Sequence, residues 1–71
     1  MQIGKSSENY LETILMLSKQ LPVVRSIDIA SELNFSKPSV SVAMKHLRED
    51  GCIEVNPSGF ITLTPKGMEI A

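Results

Sequence analysis

The chain has 71 residues, room for one small domain, and its 42% hydrophobic content includes no Trp, one Tyr and two Phe, so any core is aliphatic. A single Cys excludes an intrachain disulfide and fits a reducing compartment. No apolar run approaches the ~20 residues of a membrane span, and a net charge of −1 offers no global pull toward nucleic acid.

The start of the chain lacks the continuous apolar segment of a signal peptide, so a cytoplasmic location is expected. Ser6 or Ser7 is placed to cap a first helix, with Glu8 near the positive end of its macrodipole. Tyr10, Leu11, Ile14, Leu15, Leu17 and Leu21 form its apolar stripe, and Pro22 stops it. Val23 and Val24 read as a short extended connection. Ser26 is placed to cap a second helix, about 27–33, with Ile29, Ala30 and Leu33 turned inward. Asn34 and Phe35 then make a tight turn.

The stretch 34–51 carries the strongest signals. Ser36 can cap a third helix, 36–49, and Pro38 falls in its first turn, where a missing N–H is harmless. Gly51 sits just past the end, where a left-handed residue closes a helix. Val40, Ala43, Met44 and Leu47 recur at the spacing of a buried stripe. The opposite face shows Lys37, Ser39, Ser41, Val42, Lys45 and Arg48. No acid falls at 33–48. Hydroxyls, cations and one methyl-bearing side chain suit a helix set in a phosphate-flanked groove. Binding responds to local potential, so the weak overall charge does not exclude this basic face.

After Gly51 the period changes to two. Ile53 and Val55 flank Glu54, and Ile61 and Leu63 flank Thr62, with turn chemistry at 56–59 (Asn, Pro, Ser, Gly). A hairpin this small must pack on the helices. The predicted fold is mainly α with a small β-hairpin, a winged helix-turn-helix of three helices and a two-stranded wing. Thr64 and Pro65 have the form of another helix start, and 64–71 is expected to open a linker helix. An isolated helix needs roughly 12–15 residues to be marginally stable, so residues 1–71 are expected to be the N-terminal part of a longer protein.

The chain resembles the N-terminal DNA-binding domain of the diphtheria-toxin-repressor-like, metal-dependent transcriptional regulators, which include the manganese-transport regulators. The matching residues are Ser7, Glu8, Asn9, Tyr10, Leu11, Glu12, Thr13 and Ile14 in helix one, and Asp28, Ile29, Ala30 and Leu33 in helix two. Ser36, Lys37, Pro38, Ser39, Val40 and Ser41 open helix three, Asp50 and Gly51 end it, and Leu63, Thr64, Pro65, Lys66 and Gly67 follow the wing. The resemblance implies a repressor of two domains, in which a helical domain dimerises and Mn²⁺ or Fe²⁺ favours the homodimer that binds a double-stranded DNA operator.

The resemblance also implies that Ser36, Ser39 and Ser41 meet phosphates, and that Pro38 and Val42 make apolar contact with bases. The family often carries a polar side chain where Val42 stands, which puts base preference in doubt. Lys37, Lys45 and Arg48 are candidate phosphate ligands, as are Arg25 and Ser26 beside helix two. Each cation has the plain alternative of a solvated charge, and each serine that of helix-start solvation. Metal ligands are implied at Asn9 and Glu12, where manganese-type members have two carboxylates. Asn9 breaks that pattern, and an amide oxygen is a poorer ligand for a hard cation. No tight metal site is therefore expected in this chain alone. Cys52 reads as a small half-buried hydrophobe.

One His, one Cys and no convergent acid–base pair offer no catalytic constellation, so no enzyme activity, small-molecule substrate or membrane partner is expected. Two other readings stay open: a winged helix used for protein–protein contact, and a winged-helix regulator that senses no metal.

Overall fold

The computed structural model describes residues 5–71. Their elements are α1 (Lys5–Gln20), α2 (Ser26–Leu33), α3 (Lys37–Glu49), β1 (Ile53–Val55), β2 (Ile61–Leu63) and α4 (Pro65–Ile70). Because α1 begins at Lys5, Ser6 and Ser7 lie inside it and neither is its cap; the cap position falls outside the described residues. The Leu21 N–H still donates to the Leu17 carbonyl at 2.8 Å, after which Pro22 ends the helix.

The cap of α2 also differs from expectation. Arg25, not Ser26, is the N-cap residue. Its guanidinium has no acceptor to offer, so half of a capping box forms. The Asp28 carboxylate accepts the Arg25 N–H at 2.9 Å. At the other end Asn34 takes left-handed backbone (φ 57°), and the Phe35 N–H reaches the Ala30 carbonyl at 3.0 Å. Asn tolerates this region better than most residues, since its short polar side chain bonds locally. The reversal delivers the chain at once to Ser36, the cap of α3.

Every cue read in α3 is realised. Ser36 is extended and its Oγ accepts the Ser39 N–H at 3.3 Å. Pro38 sits in the first turn. Gly51 (φ 78°) donates to the Arg48 carbonyl and Cys52 to that of Leu47, both at 3.0 Å, forming a Schellman closure. Val40, Met44 and Leu47 are buried and Ala43 half-buried.

β1 and β2 pair antiparallel with Ile53 opposite Leu63 and Val55 opposite Ile61. At the tip, Asn56 Oδ1 accepts the Ser58 and Phe60 N–H groups at 3.0 and 2.9 Å, which fixes the turn without outside partners. The extended connection does more than connect. Val24 accepts the Ile61 N–H at 2.7 Å, giving the wing one rung of a third strand. This rung ties the hairpin to the helical body.

Leu11, Ile14, Ile29, Val40, Leu47, Ile53 and Ile61 form one aliphatic core drawn from α1, α2, α3 and the wing. Tyr10 covers its edge and meets the exposed Phe35 ring edge-on at 5.9 Å between centroids. Cys52 is fully buried, not half-buried, because it lies where α3, β1 and α4 close on one another. With α1, the α2–turn–α3 unit and the hairpin, followed by the short α4, the architecture is a winged helix-turn-helix.

Candidate nucleic-acid interface

The outer face of α3 carries Lys37, Ser39, Ser41, Val42, Lys45 and Arg48, all exposed, with Ser36 and Pro38 at its start. Val42 is 56% exposed, an apolar side chain standing in water on an otherwise polar face. Because Val40, Met44 and Leu47 anchor the opposite stripe in the core, these side chains project away from the protein. The hydroxyls of Ser36 and Ser39 hydrogen-bond at 2.9 Å, so the two act as one polar unit at the head of the helix. No acidic residue lies in the first turn of α3.

Part of the predicted set converges. Ser26 from the start of α2, Ser41, Lys45 and Arg48 from α3, and Val55 from the wing line one open cleft of about 240 Å³, floored by Met44. Two cations and two hydroxyls therefore share a concave edge between the recognition face and the wing. Among the described residues the one close contact between a carboxylate and a basic side chain joins Glu49 and His46 Nδ1 at 4.0 Å, exposed and one turn apart. Lys37, Lys45 and Arg48 are thus not neutralised by a carboxylate.

Arg25 lies outside that cleft. Its guanidinium carbon stacks over the Phe60 ring at 5.0 Å from the centroid, which gives it a partner at the root of the wing. The wing tip, 56–59, holds no cation. Sequence reasoning missed Val55 as a wall of the cleft and Phe60 as the seat of Arg25; only their place beside the turn could have pointed to either.

The family described as "Iron dependent repressor, N-terminal DNA binding domain" matches residues 2–60. The chain belongs to this family. It is similar to the diphtheria toxin repressor of Corynebacterium glutamicum, 33% identical over 66 residues that make up 93% of this chain and 29% of that protein. It is similar also to the transcriptional regulator MntR of Escherichia coli, 33% identical over 64 residues, 90% of this chain and 41% of the relative. The chain thus spans well under half the length of these relatives. Its fold matches that of MepR in the crystal structure of the S. aureus MepR–DNA complex, with a TM-score of 0.75 over 96% of this chain and 51% of MepR, at 23% identity.

The iron-dependent family raises the question of metal, and the donor set answers it for these residues. Asn9 and Glu12 are exposed on α1, one turn apart. Among the described residues no three His, Cys, Asp or Glu side chains converge. Two donors, one a neutral amide, do not fit a resident Mn²⁺ or Fe²⁺. Among the described residues no helix is long and apolar enough to cross a membrane.

Proposed function

We propose that this domain is the operator-binding part of a two-domain, metal-dependent transcriptional repressor that acts as a homodimer. The observation that carries the reading is the outer face of α3, three unpaired cations and three serines with no acid among them, continued by Ser26 into the cleft beneath the wing. In this reading α3 lies in the major groove. Lys37, Lys45 and Arg48 meet phosphates, and Ser26, Ser36, Ser39 and Ser41 add hydroxyl contacts that fix register. Pro38 and Val42 present apolar surface to the groove floor, where thymine methyl groups are the complementary feature. Arg25, stacked on Phe60 at the root of the wing, adds a cation next in sequence to Ser26.

Two copies would read half-sites related by two-fold symmetry, about 34–36 Å apart along the duplex. A downstream domain would supply dimerisation and the remaining ligands for Mn²⁺ or Fe²⁺, with Glu12 and Asn9 as this domain's contribution. Metal would then favour DNA binding by favouring the dimer. The chain alone, with half the contacts and a net charge of −1, binds duplex weakly.

A salt titration of duplex binding tests the reading. Log K should fall linearly with log salt, with a slope near −0.9 for each phosphate contacted. A flat line would transfer the exposed face of α3 to a protein partner.

A further inference from the structure

The junction between α3 and β1 is held from an unexpected direction. Three consecutive carbonyls, those of Asp50, Gly51 and Cys52, accept hydrogen bonds from the start of α4. Lys66 Nζ donates to Asp50 O at 2.7 Å, Thr64 Oγ1 to Gly51 O at 2.6 Å, and the Thr64 N–H to Cys52 O at 3.1 Å. Thr64 Oγ1 also accepts the Gly67 N–H at 3.2 Å, so one hydroxyl caps α4 and grips the junction. Gly67 is buried there, and any β-carbon on it would collide with the Cys52 carbonyl oxygen.

This is more than closing α3 requires, since the Gly51 and Cys52 N–H groups already complete its Schellman closure. The added bonds lock a different freedom. β1 leaves α3 through Gly51, a residue with wide backbone latitude, so the junction alone does not set the wing's angle; the Val24–Ile61 rung holds one side of the hairpin and these bonds hold the other. β2 ends at Leu63, directly before Thr64, so the bonds from Thr64 and Lys66 close a loop of α3, β1, β2 and α4.

We infer that the first turn of α4 is a latch that sets the angle between the recognition helix and the wing, with Thr64 and Lys66 as positioning residues for DNA binding. The Lys66 ammonium is committed to the negative end of α3 and is not a phosphate ligand. The effect on DNA rests on the operator-binding reading; the latch itself does not.

The test uses the 71-residue chain with Thr64→Val, Thr64→Ser and Lys66→Met, all measured well below their melting transitions. Residual dipolar couplings report the angle between α3 and the hairpin. Duplexes selected by the wild-type chain from a randomised pool report affinity across salt. Thr64→Val should change the angle and weaken binding about tenfold, the scale of one net hydrogen bond, with the salt slope unchanged. Thr64→Ser should restore both, and Lys66→Met should shift the angle the same way. A lower melting temperature with unchanged angle and affinity would overturn the latch, because a merely structural role predicts that pattern. A salt slope reduced by about one in Lys66→Met would overturn it too, by making Lys66 a phosphate ligand. If the wild-type chain selects no duplex, the operator-binding reading fails while the couplings still decide the latch. If Thr64→Val does not fold, Lys66→Met, which loses one exposed bond, decides it.

Discussion

The guanidinium carbon of Arg25 lies 5.0 Å from the centre of the Phe60 ring. This contact joins the cap of α2 to the base of β2, beside the rung that Val24 makes with Ile61. Cation–π pairs at exposed sites contribute about 0.5–1 kcal/mol. Arg25→Ala should lower the unfolding free energy by that amount, and a double-mutant cycle with Phe60→Leu should recover a coupling of the same size (about 0.5–1 kcal/mol). Urea denaturation measures both. A coupling of zero would mean that ring and guanidinium are neighbours without energetic effect.

Ser36 separates two roles that share one oxygen. Ser36→Ala removes the acceptor of the Ser39 N–H and should cost about 1 kcal/mol of stability. Ser36→Asp keeps an acceptor at the cap and should hold stability, while its charge repels a nearby phosphate and weakens duplex binding. If Ser36→Asp binds as well as the native chain, Ser36 caps α3 and does not approach the backbone.

Lys45 and Lys19 make a matched pair. Lys45 lines the cleft beneath the wing, and Lys19 lies in the last turn of α1. Lys45→Ala should reduce the slope of log K against log salt by about one, and Lys19→Ala should leave it unchanged. Both exposed substitutions should keep stability within about 0.5 kcal/mol of the native chain. Equal slopes for the two variants would remove Lys45 from the contact set.

Gly51 holds φ at 78° with nothing within 4 Å of the place a β-carbon would occupy. The cost of Gly51→Ala is therefore backbone strain alone, about 1–2 kcal/mol. Gly51→Asn should cost less, because Asn enters this region more readily. Thermal unfolding ranks the three residues, and equal melting temperatures would show that the junction relaxes.

Mn²⁺ added to the 71-residue chain should reveal no saturable site by electron paramagnetic resonance, since Asn9 and Glu12 supply only two donors. Asn9→Asp should produce a measurable but weak association by making both donors carboxylates. Saturable binding by the native chain would require ligands that the arrangement on α1 does not provide.

The helices were legible because their signals are local. Ser36, Pro38 and Gly51 bracket α3 within one stretch of chain, and Val40, Met44 and Leu47 mark its buried side at fixed spacing. The cap of α2 misled for an equally local reason. Ser26 has the right side chain, but Asp28 can serve the Arg25 N–H by itself, which moves the cap back one residue. The long-range bonds left no such trace. Nothing near Val24 indicates Ile61, and nothing near Asp50 indicates Lys66. The run from Leu63 to Gly67 was visible as a motif, yet its partners are carbonyls, which carry no sequence signal. The full burial of Cys52 is hidden for the same reason, as α4 closes on the junction from a distance in sequence.

The first turn of α3 is fixed before anything touches it, by the Ser36 cap, the ring of Pro38 and the Ser36–Ser39 hydroxyl pair. Docking then needs no ordering of that turn. With a net charge of −1, long-range steering adds little to its rate. Arrival should therefore be nearly the same on every duplex, and discrimination between sequences should appear in how long the domain stays.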